Sequence, residues 1–297
     1  MKRSPSSVMT LGRRSAKMMA AGICLIALGA CSSIDLLYAF ADDVVESRAK
    51  SFLDVSNPED AAHLELAIDA LFVDHTENIV PRISSYLNAQ ADALEANDLG
   101  EDRVAMAVSD FRALTAKATE MAVPYITNVL IRHTTPERIN YLEVQLAERR
   151  AEREEEFDDQ TIEEFRVARI KALTDGVERF IPDLTAVQVS ILEAHVDAEI
   201  ERNGRQRWLL NTERRHAALV AYLRTQPDEA ALADYFYVWT TRSYEVVDPD
   251  YKPQSAMWWM AKTDLFYELA NSMEDGQRLA TIDRLRSYAA DFAALTS

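Results

Sequence analysis

The scarcity of chain-breaking residues constrains the fold of this chain more than any other feature. Its 297 residues include only 7 glycines and 9 prolines. Sandwiches and barrels of many short strands need more turn residues than this, because each turn depends on residues such as glycine, proline, asparagine and aspartate. From Ile34 to Ser297 the apolar residues recur with helical spacing. The sequence therefore predicts an all-α protein, an elongated bundle of about eight to ten long helices.

The composition is that of a folded protein with an acidic surface. Hydrophobic residues make up 48% of the chain and charged residues 27%, which excludes disorder for most of its length. The formal net charge is −17, from 32 basic and 49 acidic residues. Nucleic acid is excluded as a partner, because phosphate binding needs a basic surface.

Residues 1–30 have the pattern of a signal peptide. Five basic residues and no acidic residue precede or flank an apolar run from Met18 to Leu28. The run has about 11 residues, whereas a helix needs about 20 to cross a bilayer. We expect a cleaved targeting segment, followed by a single all-α periplasmic domain at 31–297.

The end of this segment, Leu28-Gly29-Ala30-Cys31-Ser32, resembles the lipobox of bacterial lipoproteins. The resemblance implies cleavage between Ala30 and Cys31 and acylation of the Cys31 thiol. Two or more acyl chains hold a protein firmly on a membrane. Ser32 at the second mature position implies export to the outer membrane, with the protein on its periplasmic face. The alternative is an ordinary secretory signal that contains a cysteine by chance.

The mature chain would then have no free thiol and no disulfide, because Cys24 is removed and Cys31 carries the lipid. Loss of the five signal-peptide cations leaves 27 basic against 49 acidic residues, a net charge of −22. We expect no cofactor beyond the covalent lipid and no metal. The expected partners are the membrane, through the anchor alone, and envelope proteins.

Helix boundaries follow from capping and proline signals. We expect a first helix at 34–53, a bend or restart at Pro81, and an interruption of the following long helix at Pro124. Asn203-Gly204 is expected to weaken a helix that starts at Thr185 and continues to Leu223.

Three helix starts share one frame, a capping residue followed by Leu-Glu seven and eight positions later. They begin at Asn57, Thr135 and Thr185. An internal duplication of helical units and the recurrence of ordinary capping chemistry both explain this frame.

The whole mature chain resembles a family of proteobacterial lipoproteins known only as a domain of unknown function. The resemblance rests on the lipobox, Tyr38, the three helix starts, the spacing from His75 to Pro81, and above all the segment 180–188, FIPDLTAVQ. The chain departs from the family pattern beside His75, where Asp74 and Thr76 replace Trp and Arg. Leu184-Thr185-Ala186-Val187-Gln188 is also similar to the L-T-x-x-Q helix starts of Spy-type periplasmic chaperones, although an ordinary capping box explains it equally.

The usual catalytic and phosphate-binding signatures are absent from the sequence. His75, flanked by Asp74 and Glu77, is the best candidate for a functional polar site; its alternative is a half-buried helix residue. His195 and Glu199 have the spacing of two metal ligands on one helix, but a surface pair is the simpler interpretation.

All four tryptophans, Trp208, Trp239, Trp258 and Trp259, fall within 52 positions near the C-terminus. Such density indicates either a binding groove or a core where several helices meet. Trp258 and Trp259 are adjacent, so we expect one to be buried and the other to face a partner or lipid.

These features predict a non-enzymatic, chaperone-like role in protein binding or envelope maintenance. The acidic body would attract cationic clients, and Trp239, Trp258 and Trp259 would supply apolar contacts. Two alternatives stay open. One is an enzyme acting on a cell-wall or lipid substrate through His75 and nearby carboxylates, and the other is a structural tether.

Overall fold

The computed structural model describes Tyr38 and residues 40–296. The predicted signal peptide, its cleavage site at Ala30 and the acylated Cys31 lie outside the described residues. Within them the protein is all-α, with no strand. One helix has 10 residues and ten have 13 to 30.

The α-helices are α1 (Ala41–Lys50), α2 (Pro58–Asn78), α3 (Val80–Glu95), α4 (Glu101–Leu130), α5 (Pro136–Asp158), α6 (Ile162–Val177), α7 (Ala186–Glu201), α8 (Gly204–Leu223), α9 (Glu229–Thr241), α10 (Tyr251–Asn271) and α11 (Asp275–Ala294). Short 3₁₀ turns occupy Ile131–His133 and Ser243–Glu245.

The three helix starts that share a sequence frame are all capped by side chains. Asn57 Oδ1 accepts a hydrogen bond from the backbone of Glu59, and the hydroxyls of Thr135 and Thr185 accept from Arg138 and Gln188. The leucines seven positions later are all buried, namely Leu64, Leu142 and Leu192. Capping and burial of one apolar face thus account for the frame locally.

Two proline predictions have opposite outcomes. The restart at Pro81 is confirmed, because α2 ends at Asn78 and α3 begins at Val80. The interruption at Pro124 is wrong, because α4 runs through it without a break. Pro124 and Glu120 are exposed, so water can reach the Glu120 carbonyl that the proline leaves without a helical donor.

Two other boundaries also differ from the prediction. The first helix ends at Lys50, and Leu53 packs into the core beyond it instead of extending it. The helix from Thr185 does not continue to Leu223. It ends at Glu201, and α8 begins at Gly204, because Asn203 adopts a left-handed conformation with φ of 53°.

The described core is divided among three clusters. The largest joins α2, α4, α5, α8 and α9. A second lies between α3 and α11, and a third joins α7, α10 and the loop residue Ile181. No described helix is both long enough and apolar enough to cross a membrane.

A buried carboxylate ties α2 to the start of α5. Asp60 is only 4% exposed and accepts hydrogen bonds from the guanidiniums of Arg138 and Arg132, the latter at 3.0 Å. The hydrogen bond from Arg138 is the main reason that the pKa of Asp60 lies below its usual value. Arg132 also bonds the exposed Glu59 at 3.0 Å.

Part of the charged stretch within α5 forms ion pairs along the surface of that helix. Arg149 pairs with Glu152 at 3.0 Å and Arg150 with Glu154 at 2.8 Å, three and four residues apart.

Candidate functional site

A groove of about 520 Å³ lies between α5, α6, α7, α8 and α10. Its volume falls within the range of small-molecule sites, roughly 300 to 1,000 Å³. The side chains that line it come from positions 153 to 262, so the groove is assembled from distant parts of the chain.

The lining is strongly cationic although the protein is acidic. Six cationic side chains line it against the one carboxylate of Glu199. These cations are Arg153, Arg169, Arg202, Arg205, Arg207 and Lys262. The groove therefore concentrates positive charge in a chain whose net charge is −17.

Aromatic rings form the apolar part of the same walls, from Phe157, Phe165, Trp208, Tyr251 and Trp258. The guanidinium of Arg205 lies 4.1 Å from the centre of the Phe157 ring, and that of Arg153 lies 5.0 Å from the Trp208 ring. Stacking of this kind orients a guanidinium and leaves its N–H edge able to donate to carboxylate or phosphate oxygens.

The turn between α7 and α8 brings the cationic residues to the groove. Asn203 takes the left-handed conformation, and Gly204 follows it. A Cβ on Gly204 would lie 2.9 Å from Cγ and 3.1 Å from the carbonyl oxygen of Glu199. A larger residue would crowd Glu199, so glycine suits this close approach, which places Arg202 before the turn and Arg205 after it.

His195 and Lys262 form the polar centre of the groove. The ammonium of Lys262 lies 2.8 Å from Nε2 of His195 and donates to it when that nitrogen is unprotonated. Burial and the charge of Lys262 lower the pKa of His195 to about 4. Glu199, which sequence spacing paired with His195, bonds Arg169 at 3.2 Å instead.

Burial is also the main reason that the pKa of Lys262 is lowered. Glu199 opposes this shift, whereas Arg169 and Arg202 reinforce it. A lowered pKa increases the fraction of uncharged amine at neutral pH.

His75, the candidate from sequence, does not line the groove. Its Nδ1 is 3.0 Å from the hydroxyl of Tyr38, and burial lowers its pKa. Tyr38 in turn contacts the rings of Phe72 and Phe292 edge-on. Burial raises the pKa of Tyr38 to about 12, so this contact joins a neutral phenol to the body of the protein.

The two carboxylates beside His75 have different surroundings. Asp74 accepts hydrogen bonds from the Tyr125 hydroxyl at 3.0 Å and from Asn78. Glu77 is exposed. Asp74 therefore ties α2 to α4.

The structure separates the tryptophans. Trp239 packs against the largest core cluster, and its indole N–H donates to the Arg215 carbonyl at 2.9 Å. Trp258 lines the groove and is 50% exposed. Trp259 lies under the guanidinium of Arg112 at 4.7 Å, and its ring touches that of Trp258 edge-on.

No group of three or more metal-ligating side chains occurs among the residues that the structure describes. Sequence reasoning found Trp258 and the pair His195 and Glu199 but missed the arginines around them. The available signal was the segment from Arg202 to Trp208, which holds three arginines beside a tryptophan in an otherwise acidic chain.

Fold and site together define an all-α protein with a cationic, aromatic-lined groove. The chain belongs to a family of unknown function, DUF6279, whose model matches residues 51–242. The match spans α2 to α9 and therefore four of the five helices around the groove; α10 lies beyond it. No curated protein and no solved structure matches the chain.

Proposed function

We propose that this protein is a non-enzymatic binding protein of the bacterial envelope whose groove takes an anionic ligand with an apolar part. Acylated Cys31 holds it on the periplasmic face of the outer membrane. The observation that carries the proposal is the groove itself, where six cations and five aromatic rings surround one carboxylate.

The charge distribution favours a small ligand over a polyanion. The arginines attract a carboxylate or phosphate at short range. A polyanion would extend beyond the groove and meet the acidic remainder of the surface. The groove volume of about 520 Å³ agrees with a small molecule.

The ligand proposed for the groove is anionic. The clients of the chaperone-like role expected from the sequence are instead basic proteins, attracted by the acidic body. That role would use the outer surface rather than the groove. Hydrolysis at His75 has less support, because its Nδ1 is engaged by Tyr38 and the groove lies elsewhere.

Binding is tested with the full chain in non-ionic detergent, titrated calorimetrically with 1-naphthyl phosphate, an anion with an aromatic body. The double variant Arg202→Gln/Arg205→Gln is expected to weaken binding at least about tenfold, because charge-assisted hydrogen bonds contribute about 1.5 to 3 kcal/mol each. Inorganic phosphate, which lacks the apolar part, is expected to bind more weakly.

The matched control is Arg224→Gln/Arg286→Gln, which removes the same charge from exposed arginines outside the groove. We expect less than a twofold change. Equal losses in the two double variants would mean that binding follows net charge alone, and the groove would lose its assigned role.

The anchor is tested separately by mass spectrometry of the protein from membranes. A diacylated or triacylated Cys31 at the N-terminus is expected. An intact Met1, or an unmodified terminus, would contradict the envelope location.

A further inference from the structure

Lys262 differs from the other described lysines in its hydrogen-bond partner. Lys50, Lys117 and Lys171 each pair with a carboxylate on the same helix. Lys252 is exposed and lies over the ring of Tyr244. Lys262 instead meets the imidazole of His195, at 2.8 Å, on the wall of the groove.

The surroundings of Lys262 lower the pKa of its amine. It is partly buried, it lies near Arg169 and Arg202, and the one nearby carboxylate, Glu199, is paired with Arg169. Lysines desolvated in this way, or placed beside another cation, are the ones that act as nucleophiles. The Trp258 ring covers one side of the amine, 5.5 Å from its centre to Nζ.

We propose that Lys262 forms a reversible imine with an anionic aldehyde or ketone bound in the groove. This inference rests on the proposed function, because the arginines hold the anionic group of the ligand. The uncharged Nζ attacks the carbonyl carbon to give a carbinolamine, and loss of water converts C=O to C=N. No oxidant or reductant is needed, and hydrolysis returns both partners.

His195 is a positioning residue for the amine of Lys262. Its Nε2 faces Nζ at 2.8 Å and holds the amine at the wall of the groove. Water takes up the proton that the amine loses on attack and supplies the proton with which the hydroxyl leaves as water. A neutral base at this place leaves the amine free, whereas a carboxylate would hold it as ammonium.

The test uses pyridoxal 5′-phosphate as an anionic, aromatic aldehyde probe on the full chain at pH 7. Borohydride reduction fixes any imine, and peptide mass spectrometry assigns it among the five lysines that follow Cys31. We expect Lys262 to react at least about tenfold faster than Lys252 on the same helix, because Lys262 lines the groove whose arginines hold the phosphate of the probe beside it, whereas Lys252 is exposed outside the groove. Uniform labelling of the five lysines would overturn the proposal.

Two variants identify the cause of any selectivity. Lys262→Arg keeps the charge and removes the amine, so the adduct should disappear, whereas Lys252→Arg should leave labelling of Lys262 unchanged. His195→Asp gives Lys262 the carboxylate partner that Lys50, Lys117 and Lys171 have, and should slow its labelling to the rate of Lys252. Fast labelling of Lys262 in a folded His195→Asp protein would contradict the role of His195. If circular dichroism shows that His195→Asp is misfolded, the same labelling experiment is made with His195→Gln.

Pyridoxine 5′-phosphate, which has no aldehyde, separates this inference from the proposed function. Arginine-dependent binding of this alcohol together with uniform lysine labelling by the aldehyde would overturn the imine and leave the groove as an anion site. Absence of arginine-dependent binding for both probes would overturn both.

Discussion

The amides of Gln188 and Gln277 bond each other in both directions in the interior of the protein. Nε2 of Gln188 donates to Oε1 of Gln277 at 2.9 Å, and Nε2 of Gln277 donates to Oε1 of Gln188 at 3.0 Å. Each glutamine also closes the capping box of its own helix, α7 or α11. The starts of two helices 89 residues apart in sequence are thereby joined.

This pair predicts a coupled loss of stability. Gln188→Ala and Gln277→Ala should each lower the free energy of unfolding by about 2 kcal/mol, because buried partners are left unsatisfied. The double variant should lose about 1 kcal/mol less than the sum of the two. Urea denaturation measures the free energy of unfolding of all three variants. The control is Gln206→Ala, at an exposed position in α8, which should change this free energy little. Simple additivity would contradict the coupling.

Asp60 and Glu59 provide a second comparison, since neighbouring carboxylates bind the same arginine in different surroundings. Asp60→Ala should lower the free energy of unfolding by about 3 kcal/mol. This is the low end of the range for breaking a buried ion pair, because both arginines retain some contact with water. Glu59 is 76% exposed, so Glu59→Ala should cost less than about 1 kcal/mol. Similar losses from thermal or urea unfolding would show that the burial of Asp60 is unimportant.

Gly204 is expected to be the least replaceable glycine described. Gly204→Ala should cost about 1 to 3 kcal/mol through the contact with Glu199, and should weaken 1-naphthyl phosphate binding by displacing the start of α8. Gly176 lies inside α6 with no atom within 4 Å of an added Cβ. Gly176→Ala should stabilise by about 0.5 to 1 kcal/mol and leave binding unchanged. The prediction fails if the two variants behave alike.

His195 should make stability depend on pH. Its pKa of about 4 in the folded protein lies below the ordinary 6.5, so the unfolded chain binds more protons between these values. The stabilising contribution is complete above pH 6.5 and is lost as the pH falls towards 4.

Replacing this histidine with glutamine removes the effect. The free energy of unfolding of His195→Gln should fall less steeply than that of the native protein between pH 6.5 and 5, by up to about 1.4 kcal/mol per pH unit. The groups that face His195 are Lys262, Glu199, Arg169 and Arg202, and the variant keeps them all. Parallel pH profiles from urea denaturation would contradict the assignment.

Helix starts were predictable because capping is a local interaction. Thr185 and Gln188 are three residues apart, and the capping box that they form is visible in the sequence. The continuation of α4 through Pro124 was not predictable, because it depends on which side of the helix meets water.

The role of a side chain was harder to predict than its helix. His195 and Glu199 were identified by their spacing, but their partners, Lys262 and Arg169, lie on other helices. Trp239 and Trp258 belong to one aromatic cluster in sequence, yet one packs on the core and the other lines the groove.

The sequence by itself determined the all-α class, because few glycines and prolines, helical periodicity and local caps act within a few residues of one another. Only the tertiary structure decided where the groove lies and what charge it carries. Its side chains span positions 153 to 262 and meet only after five helices pack, since long-range packing sets which charges are neutralised and which face a ligand.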